Sequence, residues 1–273
     1  MVKLRAFSSP IPKRLFLPAL LISWCSLLAQ HTDNIQDRDI MYLTSGGKLN
    51  PLQAIQDIRH YTIALEVDII GRAISGSAEV RLLLSQPTDT ILLDLIHLYA
   101  VSKVTVNHKP VNYTQHDDKI FITSSKGFSA GSKNIMIYYS GIPPVAARPP
   151  WDGGFTWAKD SAGNDWMSIN IQGEGGKMYF PCKDHPSDEP NEGADLLITI
   201  PAQLKVAGPG LLMNVTRKKD KATYHWKTNY TISNYCILFN IGKYKVVKDE
   251  YTTINGNKVP IEYYVLEVDT PQA

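Results

Sequence analysis

From His60 to Val268 the apolar residues fall in short runs, alternating or in blocks, each bounded by Gly, Pro, Asn or Asp. A period of two puts successive side chains on opposite faces of an extended chain, so this texture fits strands and excludes a helical bundle. Tyr61 to Ile70 and Ile74 to Leu84 flank Gly71-Arg72 and predict a hairpin. Further strands are predicted over Thr90 to Leu95, Val101 to Val106, Lys119 to Thr123, Asn134 to Tyr139, Leu196 to Pro201, Leu204 to Ala207, Ala222 to Thr228, Ile237 to Tyr244 and Ile261 to Val268. That close, regular spacing leaves no room for crossover helices and predicts an all-β, mostly antiparallel fold. Only Asn50 to Ile58 has helical potential, and it is weak. Between Pro143 and Asp165, rich in Pro and Gly, the pattern predicts a long irregular stretch, which in a compact domain is usually functional or packed on a neighbour.

The first thirty residues have a different texture. Lys3, Arg5, Lys13 and Arg14 precede an apolar run from Leu15 to Leu28, the pattern of a secretory signal cleaved near Ala29 or Gln30. The run is short of the roughly 20 residues a membrane helix needs, no second apolar stretch follows, and no membrane span is expected. Trp24 ahead of Cys25 argues against a lipid anchor. The predicted location is exported, periplasmic or secreted. Residues 1–30 carry four cations and no acid, so their removal turns a net charge of +2 into −2. The mature chain lacks the basic footprint of a nucleic-acid binder, and Arg217-Lys218-Lys219 beside Asp220 is predicted to be a solvated turn. About 240 mature residues, in a chain that is 44% hydrophobic, can bury a sizeable core. Of the remaining cysteines, Cys182 and Cys236, an exported chain permits a bridge, but two buried thiols is the simpler reading. Asn112, Asn214 and Asn229 begin Asn-x-Thr sequons, relevant only to a eukaryotic secretory route.

No complete catalytic motif is present. There is no His-Glu-x-x-His, Gly-x-Ser-x-Gly, phosphate loop or Gly-x-Gly-x-x-Gly, and the seven histidines are scattered. The densest polar cluster is Lys183-Asp184-His185-Pro186-Ser187-Asp188-Glu189-Pro190. Its acids and imidazole are potential metal donors, but two prolines with Asp and Ser favour a structural corner, and no metal site is expected. The second candidate is Gln172-Gly173-Glu174-Gly175-Gly176, where glycines leave a carboxylate and an amide unobstructed. By spacing alone this is a plain glycine turn with a solvated Glu. Trp151, Trp157 and Trp166 could line a groove beside it or belong to the core.

Gln172-Gly173-Glu174, followed by Tyr179-Phe180-Pro181-Cys182-Lys183-Asp184-His185-Pro186, resembles the Gln-x-Glu … Phe-Pro-Cys-x-Asp-x-Pro block of the aminopeptidase N family of gluzincin metallopeptidases. The segments His60-Tyr61-Thr62-Ile63, Ile74 to Arg81, Asp94-Leu95 and Val104 to Asn107 are similar to that family's first domain in order and spacing. The resemblance covers roughly His60 to Val268. It implies a curved, saddle-shaped β-sandwich that packs on a thermolysin-like zinc domain and closes one end of its active site. By position, Glu174 would bind the free α-ammonium of a peptide substrate, and Gln172 would flank the pocket for its first side chain. The resemblance divides the chain into a signal (1–30), a lead segment (31–58), the β domain (59–268) and the start of a catalytic domain (269–273). The family's Gly-Ala-Met-Glu-Asn segment, His-Glu-x-x-His helix and downstream Glu ligand are absent from these 273 residues. The expectation is the N-terminal part of an exported zinc aminopeptidase, inactive by itself and without zinc of its own. The alternative, from a different class, is a stand-alone exported β-sandwich binding module.

Overall fold

The computed structural model describes residues 45–171 and 173–272. The predicted signal and most of the lead segment lie outside the described residues, as does Gln172.

The first element among the described residues is one helical turn, α1 (Pro51–Ala54), capped by the Asn50 side chain, whose oxygen accepts from the Leu52 N–H at 2.9 Å. The weak helical signal over Asn50 to Ile58 gives no more than this turn. From Gln56 the burial pattern alternates, and β1 (Gln56–Asp68) pairs antiparallel with β2 (Ala73–Leu84) in the predicted hairpin. Asp68 Oδ1 accepts from the N–H groups of Ile70 and Gly71 and so ties the turn. A register shift between Ile58 and His60 adds one residue to β1, which is why neighbouring His60 and Tyr61 are both buried.

The strands that follow are β3 (Thr88–Asp94), β4 (Tyr99–Val106), β5 (Lys109–Pro110), β6 (Asn112–His116), β7 (Lys119–Phe128) and β8 (Gly131–Gly141). After them come β9 (Gly154–Lys159), β10 (Asp165–Asn170), β11 (Ala194–Pro201), β12 (Lys205–Ala207), β13 (Leu211–Lys218), β14 (Lys221–Thr228), β15 (Asn240–Gly242), β16 (Tyr244–Thr252) and β17 (Lys258–Leu266). The main sheet has eight strands in the order β13-β14-β11-β1-β2-β8-β4-β5. Smaller sheets are β12-β15-β10-β9, β3-β7-β6 and the hairpin β16-β17. Every ladder is antiparallel except β1 with β11. The fold is the expected all-β, mostly antiparallel one. No helix among the described residues is long and apolar enough to cross a membrane.

Several local expectations are corrected. The stretch from Pro143 to Asp165 is not irregular throughout, because Phe155, Met167 and Ile169 are buried and β9 and β10 form a hairpin closed by Asp160 Oδ1. Proline and glycine in the loop before it mask the alternation. Arg217 and Lys218 are paired in β13, leaving only Lys219-Asp220 as the turn. Ile237 to Tyr244 is not one strand, since it follows a 3-10 turn (Asn234–Cys236), holds only the short β15 and ends where β16 begins. The described chain closes with a 3-10 turn, Glu267–Gln272, that contains Pro271. Both cysteines are free, but only Cys182 is buried, whereas Cys236 is exposed.

The segment between β10 and β11 has no strand partner of its own, so its backbone must be satisfied in other ways. Cys182 forms a two-way bridge with Asp94 (2.7 and 3.0 Å), and the Ile96 N–H reaches the Lys177 carbonyl at 3.2 Å. The Tyr99 and Tyr139 hydroxyls donate to the carbonyls of Met178 and Tyr179 at 2.8 and 2.9 Å, and Tyr179 donates to the Ile237 carbonyl at 2.5 Å. The Tyr61 hydroxyl accepts from the Lys183 N–H at 3.1 Å. In the core the Tyr61 and Tyr179 rings pack edge to face with Phe180, Tyr179 also with Phe239, and Tyr99 with Tyr139. The unpaired segment is thereby fixed to the main sheet at several points along its length.

Candidate functional site

Glu174 sits at the start of this clamped segment. The Gly175 N–H closes the turn by donating to the Ile171 carbonyl at 2.8 Å, and Gly175 has φ +82°, a left-handed conformation that suits glycine. A Cβ on Gly175 would also lie 1.9 Å from Asp184 Oδ1, so the Asp184 carboxylate lies directly against this turn. Behind the turn, Lys177 and Asp184 form an ion pair at 3.1 Å with side chains 5% and 4% exposed. The Asp184 N–H donates to Asp94 Oδ2 at 2.9 Å, and Gln53 Nε2 donates to the same oxygen at 2.5 Å. Burial nevertheless pushes the Asp94 pKa above the usual carboxylate value. Burial likewise raises the Cys182 thiol well above its ordinary range.

Facing Glu174 is the proline-rich loop before β9. Arg148 and Asp152 form a two-pronged ion pair across its turn, at 3.1 and 2.8 Å. Asn170 Nδ2 donates to the carbonyls of Pro150 and Asp152 and joins the loop to β10. The Gly153 N–H donates to Glu174 Oε1 at 2.9 Å. Glu174 itself is only 8% exposed, and no Lys, Arg or His among the described residues forms an ion pair with it. A buried carboxylate held by one backbone N–H, with no counter-charge among the described residues, is chemically able to pair with a cation.

The corner Lys183 to Pro190 is consumed internally. Lys183 Nζ bonds the Gln56 carbonyl and Asp188 Oδ2 at 2.6 and 2.7 Å, and Asp188 Oδ2 also accepts from the Ile58 N–H. His185 faces Ser187 Oγ at 2.7 Å and the Gly47 carbonyl at 3.0 Å. Among the described residues no three His, Cys, Asp or Glu side chains converge to hold a metal. The three tryptophans do not share a groove. Trp151 is 84% exposed, Trp157 stacks on Phe155, and Trp166 donates to the Tyr244 hydroxyl.

Sequence reasoning singled out Glu174 but missed Gly153, Lys177 and Asp94 as its surroundings. The pair Gly153-Gly154 was visible as a turn signal, while its contact with Glu174 spans a separation of 21 residues that no local pattern reports.

No family model matches the chain. Endoplasmic reticulum aminopeptidase 1 from Rattus norvegicus and from Homo sapiens are each 22% identical over 216 residues, covering 74% of this chain and 22% of theirs. A mutant of a two-domain M1 zinc metallopeptidase bound to L-tryptophan superposes with a TM-score of 0.64 at 21% identity, over 76% of this chain and 47% of that one. A mutant M1 zinc metallopeptidase from Deinococcus radiodurans bound to a Tyr-Ser-Ala substrate gives 0.64 at 22% identity, over 77% and 47%. The fold is that of the N-terminal β domain of M1 peptidases. These likenesses bear out the resemblance to the N-terminal region of the aminopeptidase N family. The chain spans about a fifth of the length of the curated relatives it matches and about half of the solved M1 structures.

Proposed function

We propose that this chain is the N-terminal β part of an exported zinc-dependent aminopeptidase that removes N-terminal residues from peptides, and that Glu174 receives the substrate's α-ammonium. The observation that carries the reading is the Glu174 carboxylate, buried on a glycine turn without a cationic partner among the described residues. An ammonium entering there gains a charge-assisted hydrogen bond and fixes the distance from the amino terminus to the scissile bond. Gln172 would flank the first side-chain pocket. The residues described here do not fit zinc, since they offer no converging donor set. Zinc and the activation of water therefore belong to a thermolysin-like catalytic domain that would pack on this one, and no step of bond cleavage is assigned to this chain. Export rests on the signal pattern of residues 1–30.

The test compares residues 31 to 273 with the product of the reading frame extended past Ala273. Zinc and aminopeptidase activity are expected only in the longer product. Within it, Glu174→Ala is expected to lower kcat/KM by roughly 30- to 1000-fold, the effect of deleting one partner of a buried charged pair. A short frame, with no His-Glu-x-x-His downstream and a folded, inert, metal-free product, would leave the stand-alone binding module in its place.

A further inference from the structure

We infer that Gly153 is a positioning residue for Glu174, acting through both its N–H group and its lack of a side chain. The N–H donates to Oε1 at 2.9 Å. On the other side, a Cβ built on Gly153 would lie 2.2 Å from Oε2 and 2.3 Å from Cδ of Glu174, closer than any real contact. Gly153 is not among the residues with positive φ, so its backbone does not demand glycine. The carboxylate demands it. Its neighbour Gly154 is the contrast: φ is +133°, and a Cβ there would meet the Pro144 carbonyl and the Ala146 nitrogen at 2.7 and 2.8 Å. Gly154 keeps the loop folded, whereas Gly153 keeps the carboxylate in place.

The rest of the loop supports this division. The Ala146 N–H and the Phe155 N–H exchange hydrogen bonds with the Phe155 and Pro144 carbonyls, and Asn170 ties Pro150 and Asp152 to β10. The Gly153 amide is therefore presented from a frame fixed on both sides. A side chain at position 153 has one mobile neighbour to displace, the carboxylate end of Glu174. The loop before β9 and the glycine turn after β10 together hold the Glu174 carboxylate.

The functional half of this inference rests on Glu174 being the ammonium anchor, while the geometric half does not. Amide hydrogen exchange in the 273-residue chain tests the geometry. The Gly153 amide is expected to be protected and to exchange at least ~10-fold faster in Glu174→Ala, with Glu174→Leu, which also lacks an acceptor, as the second variant should the first not fold. Equal, fast exchange in wild type and variant overturns the positioning role whatever the activity. In the longer catalytic product, Gly153→Ala is expected to raise KM for peptides with a free amino terminus by roughly 10- to 100-fold while the melting temperature holds. Gly154→Ala is expected to lower the melting temperature instead. An unchanged KM in Gly153→Ala, beside a raised KM in Glu174→Ala, overturns this inference alone. If Glu174→Ala also leaves KM unchanged, the ammonium reading falls, and the exchange result still decides the position of the carboxylate.

Discussion

His60 is 5% exposed, and its Nε2 lies 3.0 Å from Asp195 Oδ2, while His225 Nε2 reaches the other oxygen of the same carboxylate at 2.5 Å. Arg81, Lys227 and Glu192 also face this group. Burial first, and Arg81 second, hold the His60 pKa below the ordinary histidine value, outweighing the attraction of Asp195. The unfolded chain, with a histidine near 6.5, therefore takes up the proton before the folded one does. Stability from this residue is complete above that pH and is lost as pH falls below it, towards the folded pKa. The melting temperature is expected to fall between pH 7 and pH 5, and His60→Gln should flatten that fall. An unchanged pH profile in the variant would exclude His60 as the cause. Nothing in the sequence pattern marked this residue, because its burial follows from the bulge at Arg59 that shifts the phase of β1. Glu174, by contrast, was singled out by the family resemblance and not by its flanking glycines, which alone predict a solvated carboxylate where the structure has a buried one.

At the scale of elements, the corner Lys183 to Pro190 fastens the unpaired segment to β1. Lys183 Nζ and Asp188 Oδ2 are 2.7 Å apart with side chains 5% and 10% exposed, and both also bond the β1 backbone at Gln56 and Ile58. Asp188→Ala removes a buried counter-charge and is expected to cost about 3–5 kcal/mol in urea unfolding. Because these donors are spent on the chain itself, dialysis against EDTA is expected to leave the melting temperature unchanged. A drop on chelation would restore the metal reading of the corner. Strands with clean alternation, such as β1, β2, β8, β11 and β14, were legible in sequence for the same reason that they form: one face is buried and the other is not. β13 was not legible, because all eight of its residues are exposed and no period can appear. β9 and β16 were missed for related reasons, the first beside a Pro-Gly loop and the second with only its first residue buried.

For the whole molecule, the main sheet depends on β11 and β14 as much as on the hairpins that precede them. A chain stopped at Pro190 keeps β1, β2, β4 and β8 but leaves the backbone of β1 open along the edge where Tyr61 to Glu66 pair with Ala194 to Thr199. Such a fragment is expected to self-associate, visible as light scattering, whereas the full chain scatters no more than a folded standard. The parallel ladder also sets a clock during synthesis. The partner of Tyr61 is encoded about 130 residues later, and at ~5–20 residues per second that is a wait of roughly 7–26 s. For those seconds the nascent chain carries an apolar strand with one side unclaimed. A chaperone that covers such edges would raise the yield of folded protein most when it acts before β11 leaves the ribosome.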